Sequence, residues 1–343
     1  MELYIYSCCV ELAPQLFNHF YKNVTFRISQ LIESSDQVGG IYALNSLIDF
    51  RGDDAGQKTT RFASYIRTVM RGTDHTAMVF AAKALGRLAK PGGTLTAEVV
   101  DAEVKVALEW LQMERQENRR FAAVLILREL GKNSPTLMYQ WIAQIFEVIW
   151  VGLRDPKVLI RETAAEAISA CFEIISPRDS QMRQLWFGRV YDEILKGFNL
   201  TTNEAIHGSL LTMKELLDKS AMFMDDRKYK ETVETVLKYR EHRDALVRRE
   251  VVLIIPILAS YSPTEFATKH LHQCMLHLQG LIRKDRDRNY AFVAIGQIAN
   301  AVGVAIAPYL DGILGFIQDG LAAKASVEPR TKRTLVTDDC AQA

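Results

Sequence analysis

Three places in the sequence carry residue types whose spacing could do chemistry. His242-Arg243-Asp244 spells the opening of a protein-kinase catalytic loop, in which the Asp accepts the proton of the substrate hydroxyl. That loop requires an Asn five positions after the Asp. Arg249 stands there instead, and neither a D-F-G triplet nor a Gly-rich phosphate loop occurs in the chain. Asp244 therefore reads as an acidic turn residue that starts a helix over 245–259. His270, Cys274 and His277 stand at i, i+4 and i+7, a spacing that could present three ligands to zinc from one helix face, while His272 points elsewhere. No fourth ligand and no carboxylate to orient the imidazoles can be named, so the expectation is a partly exposed face of mixed polarity. Gly39-Gly40 and Gly92-Gly93 lack the surroundings of a phosphate cradle. Gly92-Gly93 reads as the left-handed stop after a helix ending near Lys90, with Thr94 or Thr96 as the next N-cap.

Charge and aromatic clusters invite a second set of readings. The turn Arg283-Lys-Asp-Arg286-Asp-Arg288 alternates in sign, which suits a solvated connection better than a phosphate site. The pairs Arg119-Arg120 and Arg248-Arg249 open helices, and bridges to carboxylates of an adjacent repeat are expected of them rather than nucleic-acid contacts. Tyr139, Trp141, Phe146 and Trp150, with Trp186-Phe187 further on, are expected mainly in inter-helix core, although Trp and Tyr also dominate exposed hot spots. No catalytic, cofactor-binding or metal-ligating residue is assigned, no cofactor is expected, and no partner-binding residue is named.

The bulk properties narrow the classes. Lys+Arg 42 against Asp+Glu 41 gives a formal net charge of +1, which provides no general attraction to nucleic acid or anionic membrane. Five scattered cysteines without C-x-x-C spacing suit a reducing interior. The longest apolar run, Val251 to Ala259, is interrupted by Pro256, so no transmembrane helix is expected. The opening MELYIYSCCV lacks a basic segment before its apolar stretch and does not read as a signal peptide.

What must position all these residues is a repeat. A small-x-x-small/apolar-Leu-x-x-Leu pattern recurs around Leu44, Leu85, Leu127, Ile168, Met213, Ile255 and Ile295, at successive intervals of 41, 42, 41, 45, 42 and 40 residues by subtraction. That is the period of HEAT and armadillo helix pairs, roughly 40–47 residues. Within each unit the i, i+3, i+4, i+7 spacing marks one helix face. A second amphipathic segment precedes each: 14–33, 57–71, 96–113, 135–153, 182–198, 227–240 and 264–283, with an eighth at 308–320. Ser35-Asp36, Thr73-Asp74, Glu117-Asn118, Asp155-Pro156, Asn203-Glu204 and Asp287 supply helix-start chemistry, and Pro156 suits the first helical position. Pro256 should kink its helix. The fold class is all-α, an α-solenoid of about seven HEAT-type pairs without β-sheet. It is expected over 11–322, after a lead-in at 1–10 and before a disordered tail at 323–343.

Several segments also resemble a known family. QVGGIYALNSLID (37–49), AAKALGRLAKPGGTLTAEVVDAEVKVALEWL (81–111), ENRRFAAVLILREL (117–130), DPKVLIRETAAEAISAC (155–171) and IHGSLLTMKELL (206–217) closely resemble the N-terminal HEAT repeats of the target of rapamycin (TOR) kinases, serine/threonine kinases of the phosphatidylinositol-kinase-related family. The likeness keeps residues that no generic solenoid needs, such as Gly92-Gly93-Thr94 and Ala107-Leu108-Glu109-Trp110. It implies a non-catalytic scaffold, an arm that contacts a raptor-type subunit, takes part in pairing with a second TOR chain and, in animal members, helps dock a Rheb-type small GTPase. It further implies a cytoplasmic protein, peripheral at vacuolar or lysosomal endomembranes. Catalysis in that family belongs to a distant C-terminal region, and nothing here matches the FAT region, the rapamycin-binding domain or the ATP site. The segment Asp218 to Arg227 is short where animal members carry a long insertion. A free-standing HEAT adaptor for other protein clients remains the alternative.

Overall fold

The computed structural model describes residues 14–325, apart from 35, 50–54, 114, 221–222 and 285. The expected lead-in at 1–10 and the tail beyond 325 lie outside the described residues, and helix reaches past 322 to Ala325. The described residues are helical with no strand, and they divide into two compact units, 1–190 and 191–343.

The first unit contains α1 (Pro14–Glu33), α2 (Gln37–Leu47), α3 (Ala55–Met70), α4 (His75–Ala89), α5 (Thr94–Met113) and α6 (Glu117–Asn133). It continues with α7 (Pro135–Met138), a 3-10 turn at Tyr139–Trp141, α8 (Ile142–Val148), α9 (Trp150–Leu153) and α10 (Val158–Ile175). Its inner layer is α2, α4, α6 and α10, each packed beside the next, while α1, α3, α5 and the broken helix α7–α9 form the outer layer. In α6 all seven residues from Phe121 to Leu127 are buried, because helices on both sides and one behind leave only Arg128 and the two ends at the surface. Small side chains on the facing stripes, such as Ala81, Ala84, Ala123, Ala164 and Ala167, are fully buried and permit this close approach.

Helix α11 (Ser180–Phe198) runs across the division between the units. The second unit continues with α12 (Asn203–Lys219), α13 (Asp226–Lys238), α14 (Ala245–Tyr261), α15 (Pro263–Lys269), α16 (Leu271–Ile282) and α17 (Arg288–Val302). A 3-10 segment, Gly303–Tyr309, leads into α18 (Leu310–Ala325). Here α12, α14 and α17 pack side by side as the inner layer. Gly197 lies so close to α12 that an added Cβ would run into Ser209 Oγ. Helix α14 continues through the buried Pro256 to Tyr261 without interruption.

The caps follow the sequence reading in part. Asp36 accepts from Gly39 N at 3.0 Å, Asp74 from Thr76 N at 2.8 Å and Ala77 N at 3.1 Å, and Asp244 from Leu246 N at 2.8 Å. Elsewhere the cap sits one residue earlier: Gln116 precedes α6, and Thr202, accepting from Ala205 N at 3.3 Å, precedes α12. Pro156 is not the first helical residue, since α10 begins at Val158 after a turn in which Asp155 accepts from Lys157 N at 2.9 Å. Asp287 makes no side-chain cap, and Gly93 rather than Thr94 or Thr96 precedes α5. Gly92 and Gly93 adopt φ of +74° and +94°, the left-handed stop expected of them.

The stretch Arg288–Asp319 is long and apolar enough to cross a membrane by length and composition. One third of its apolar window is buried, including Ala291, Phe292, Ala294, Ile295 and Ile298 on α17, and the stretch is divided by the 3-10 segment at Gly303.

Candidate interaction surfaces

Asp244, the would-be catalytic base, is occupied as a cap and also accepts from Asn203 Nδ2 at 3.2 Å, one repeat away. His242 lends its carbonyl to Arg248 Nη1 at 2.7 Å. The triplet is a turn tied to the next helix, and Asp244 N donates to His242 Nδ1 at 3.2 Å.

The His270–Cys274–His277 set does not share one helix. The outer helix breaks at His270, which lies between α15 and α16 with φ of −122°; His270 and Cys274 are buried and His277 is intermediate, its side chain 7% exposed. His277 Nδ1 stands 3.2 Å from Glu241 Oε1, and Gln273 Nε2 stands 3.2 Å from His270 Nδ1. The Nε2 atoms of both histidines are buried without a partner. Burial pushes the Cys274 thiol up to about 12, opposed by Arg240, so it holds its proton where a ligand would have to lose it. Among the described residues no group of three His, Cys, Asp or Glu is placed to hold a metal ion.

The arginine pairs divide their work. Arg120 Nε donates to Asp155 Oδ2 at 2.6 Å across repeats, as expected of it, with Asp155 only 2% exposed at its side chain. Arg119 instead lies over the Trp110 ring at 4.8 Å and Arg249 over Tyr290 at 4.2 Å. Arg161, Arg248 and Arg288 share a device that the sequence reading missed. Each reaches back to a carbonyl six residues earlier, at 2.7, 2.7 and 2.9 Å, and so satisfies the turn between the two helices of its pair. Of the turn at 283–288, Arg283, Lys284 and Arg286 are exposed, as its alternating charge implies.

All four tryptophans lie in the first unit, and each carries a cation over its ring: Arg119 on Trp110, Lys105 on Trp141, Arg154 on Trp150 and Arg189 on Trp186. Phe146, Trp150 and Phe187 are buried, and Trp186 meets Phe146 edge-on at 5.6 Å. The aromatic cluster is therefore mainly core, and Met182 and Leu185 beside it are exposed.

Two surfaces remain available to partners: the solvent-facing stripes of the inner helices and the outer faces of the outer helices. Within each unit both present rows of side chains once per repeat, the arrangement by which solenoids hold extended protein surfaces.

No protein-family profile matches the chain. It is 42% identical over 327 residues to serine/threonine-protein kinase tor1 of Schizosaccharomyces pombe, a match covering 94% of this chain and 14% of that protein. Serine/threonine-protein kinase TOR2 of Saccharomyces cerevisiae is 36% identical, with 96% of this chain and 14% of that protein covered. The Arabidopsis thaliana TOR kinase is 36% identical, with 95% and 13% covered. The chain thus spans about one seventh of the length of these relatives. Among solved structures, Kap121p bound to Pho4p shares the fold with a TM-score of 0.68 at 13% identity, covering 95% of this chain and 34% of that one. Yeast importin-β (Kap95p) does so with a TM-score of 0.61 at 16% identity, covering 92% and 39%. These two likenesses carry the fold, a HEAT-type α-solenoid.

Proposed function

The chain is homologous along nearly its whole length to one segment of the TOR serine/threonine-protein kinases, and on that premise we propose that it serves as a non-catalytic arm for assembling a TOR-type kinase complex. A helical solenoid matching so small a share of those kinases is not their kinase domain. The observation that carries the proposal is the 42% identity over 327 residues in a chain whose candidate catalytic residues are all committed to caps, turns and core. A scaffold of this kind works through the side chains it leaves at the surface, so its partners are proteins.

By resemblance the partners are a raptor-type subunit, a second TOR chain and a Rheb-type small GTPase, acting in growth and nutrient signalling in the cytoplasm and at endomembranes. The test is capture of a purified raptor-type subunit by the folded chain at low salt. Capture that survives competition by excess unrelated protein is the expected result. A chain that is helical by circular dichroism yet captures nothing overturns the proposal.

A further inference from the structure

The inner stripes of the first unit carry a step in charge from one helix to another. Helix α4 and its C-cap, residues 75–90, hold Lys83, Arg87 and Lys90 and no acidic residue. All three lie on the solvent-facing stripe, because positions 77, 78, 81, 82, 84, 85, 86, 88 and 89 are buried. Two helices along, α10 presents Glu162, Glu166 and Glu173 on its own stripe. The stripes belong to one surface: Arg87 Nη1 donates to the Asn45 carbonyl on α2 at 3.0 Å, and Arg128 of α6 reaches Glu166 at 2.8 Å. Part of the charge is spent in these bridges, since Arg87 also pairs with Asp49. Lys83 and Lys90 are different. Both are exposed, and neither forms an ion pair among the described residues; Lys83 only lies over the half-buried Phe80 ring at 5.9 Å. At the position equivalent to Lys83 on the neighbouring α2 stands Tyr42, 58% exposed.

We infer that this face, Tyr42 with Phe80, Lys83, Arg87 and Lys90, is a docking surface for an acidic protein segment that carries an apolar side chain among its carboxylates. The inference rests on reading the chain as a protein-binding scaffold, and it adds where the partner sits and its chemistry. Unpaired lysines attract carboxylates, the exposed aromatic ring offers area for one apolar side chain, and the acidic α10 repels the same segment if it is displaced along the array. That repulsion fixes the register. An overall charge of +1 supplies no general attraction, so the selectivity comes from the local step.

The test uses the full chain and fluorescence anisotropy of a labelled twelve-residue Asp/Glu peptide containing one Leu. The comparison probes are the same peptide with Ala for Leu, a twelve-nucleotide single-stranded DNA and phosphatidylserine vesicles. The expected result is salt-sensitive binding of the Leu peptide that weakens roughly tenfold or more in Lys83→Glu/Lys90→Glu. Tyr42→Ser should erase the advantage of Leu over Ala. Lys284→Glu/Arg286→Glu, an equal charge change in an exposed turn of the second unit, should leave binding unchanged. Because Lys83 and Lys90 are exposed, circular dichroism should show the reversal variant folded. Equal weakening by both reversals, tighter binding of DNA or vesicles than of peptide, or no peptide binding would each overturn the inference. None of these outcomes depends on the raptor-type capture, so the two readings fail separately.

Discussion

The two units join successive repeats with different chemistry. In the first, the links are largely ionic: Arg67 with Glu103, Arg87 with Asp49, Arg120 with Asp155, Arg128 with Glu166 and Lys157 with Glu117. In the second, Lys214–Glu250 is ionic at 2.8 Å, but tyrosine hydroxyls make most of the other long-range bonds. Tyr239 donates to the Phe198 carbonyl at 3.3 Å and Tyr261 to the Ser220 carbonyl at 3.3 Å, Tyr191 and Thr232 share a bond of 3.2 Å, and within one helix pair Tyr229 donates to the Leu258 carbonyl at 2.7 Å. Tyr261 also accepts from Met224 N at 2.8 Å. The lesson is that the repeat dictates where a link must fall and leaves its chemistry free. A charged link fails when one partner is removed, whereas a neutral one loses little more than its own bond.

The largest expected effect tests the ionic side. Arg120→Ala would strand the Asp155 carboxylate, whose side chain is 2% exposed, and should destabilise the first unit by about 3–5 kcal/mol. The double variant Arg120→Gln/Asp155→Asn keeps a neutral pair and the acceptor for Lys157 N, and should recover most of that loss. Hydrogen exchange read peptide by peptide on the full chain measures both, with the second unit unchanged. A single-variant loss below about 1 kcal/mol would remove the contrast between the units.

On the neutral side, Tyr229→Phe keeps the buried ring, stacked on Tyr261 with centroids 5.9 Å apart, and removes only the hydroxyl. The Leu258 carbonyl retains its bond from Ser262 N at 3.4 Å, so the cost should be about 1 kcal/mol. Burial raises the Tyr229 pKa, with Glu265 and Cys274 adding to it, and the hydroxyl remains a donor through neutral pH. Urea titrations at low and high salt should give the same loss. A salt-dependent loss would show that the second unit also relies on charge.

Acid should distinguish the units again. Desolvation lowers the pKa of His270 and His277 in the fold, outweighing the upward pull of Glu265 and Glu234 on the first and of Glu241 on the second. Lys269 and Lys230 add to the lowering at His270, as Arg240 and Lys284 do at His277. A base whose folded pKa lies below its unfolded value binds its proton more readily when unfolded. Stability is therefore full above the unfolded value of about 6.5 and falls as pH drops below it. Exchange protection of 263–282 should decrease between about pH 7 and pH 5, and His277→Gln should shallow that slope. An unchanged slope would mean that other groups carry the acid response.

Much of this was legible in the sequence, and several of the misses share one source. The repeat positions Leu44, Leu85, Leu127, Ile168, Met213, Ile255 and Ile295 are all buried, and helix pairs form around each, because a small and apolar stripe has to be covered. Asp36, Asp74 and Asp244 cap as their type and place suggest. Asn118 and Asn203 do not cap. Asn118 instead lies 2.9 Å from His75, and Asn203 donates to Asp244. Local sequence offers no sign of this, since the partner is a whole repeat away. A usable signal did exist: the pairs Tyr191–Thr232, Asn203–Asp244, Tyr239–Phe198 and Tyr261–Ser220 are all 41 residues apart. In Tyr191–Thr232 and Asn203–Asp244 both partners are polar side chains one period apart, while Tyr239 and Tyr261 bond backbone carbonyls that residue type does not reveal. The helix break at His270 had a weaker sign in Ser262-Pro263, which starts a short helix just as Ser134-Pro135 starts the other broken outer helix.

The smallest effect belongs to the most exposed link. Asp49, with its side chain 76% exposed, pairs with Arg87, which keeps its bonds to Asn45 if the carboxylate is removed. Asp49→Ala should therefore cost less than about 1 kcal/mol, and high salt should erase the difference from the parent chain. Both links are arginine–carboxylate contacts between neighbouring helix pairs, yet Arg120–Asp155 is expected to cost several times more to break. What separates them is burial of the acid: solvent takes over at Asp49 and has no access at Asp155. Equal losses at the two sites would show that the geometry of the link governs its strength, and the distinction between ionic and neutral units would then rest on residue type alone.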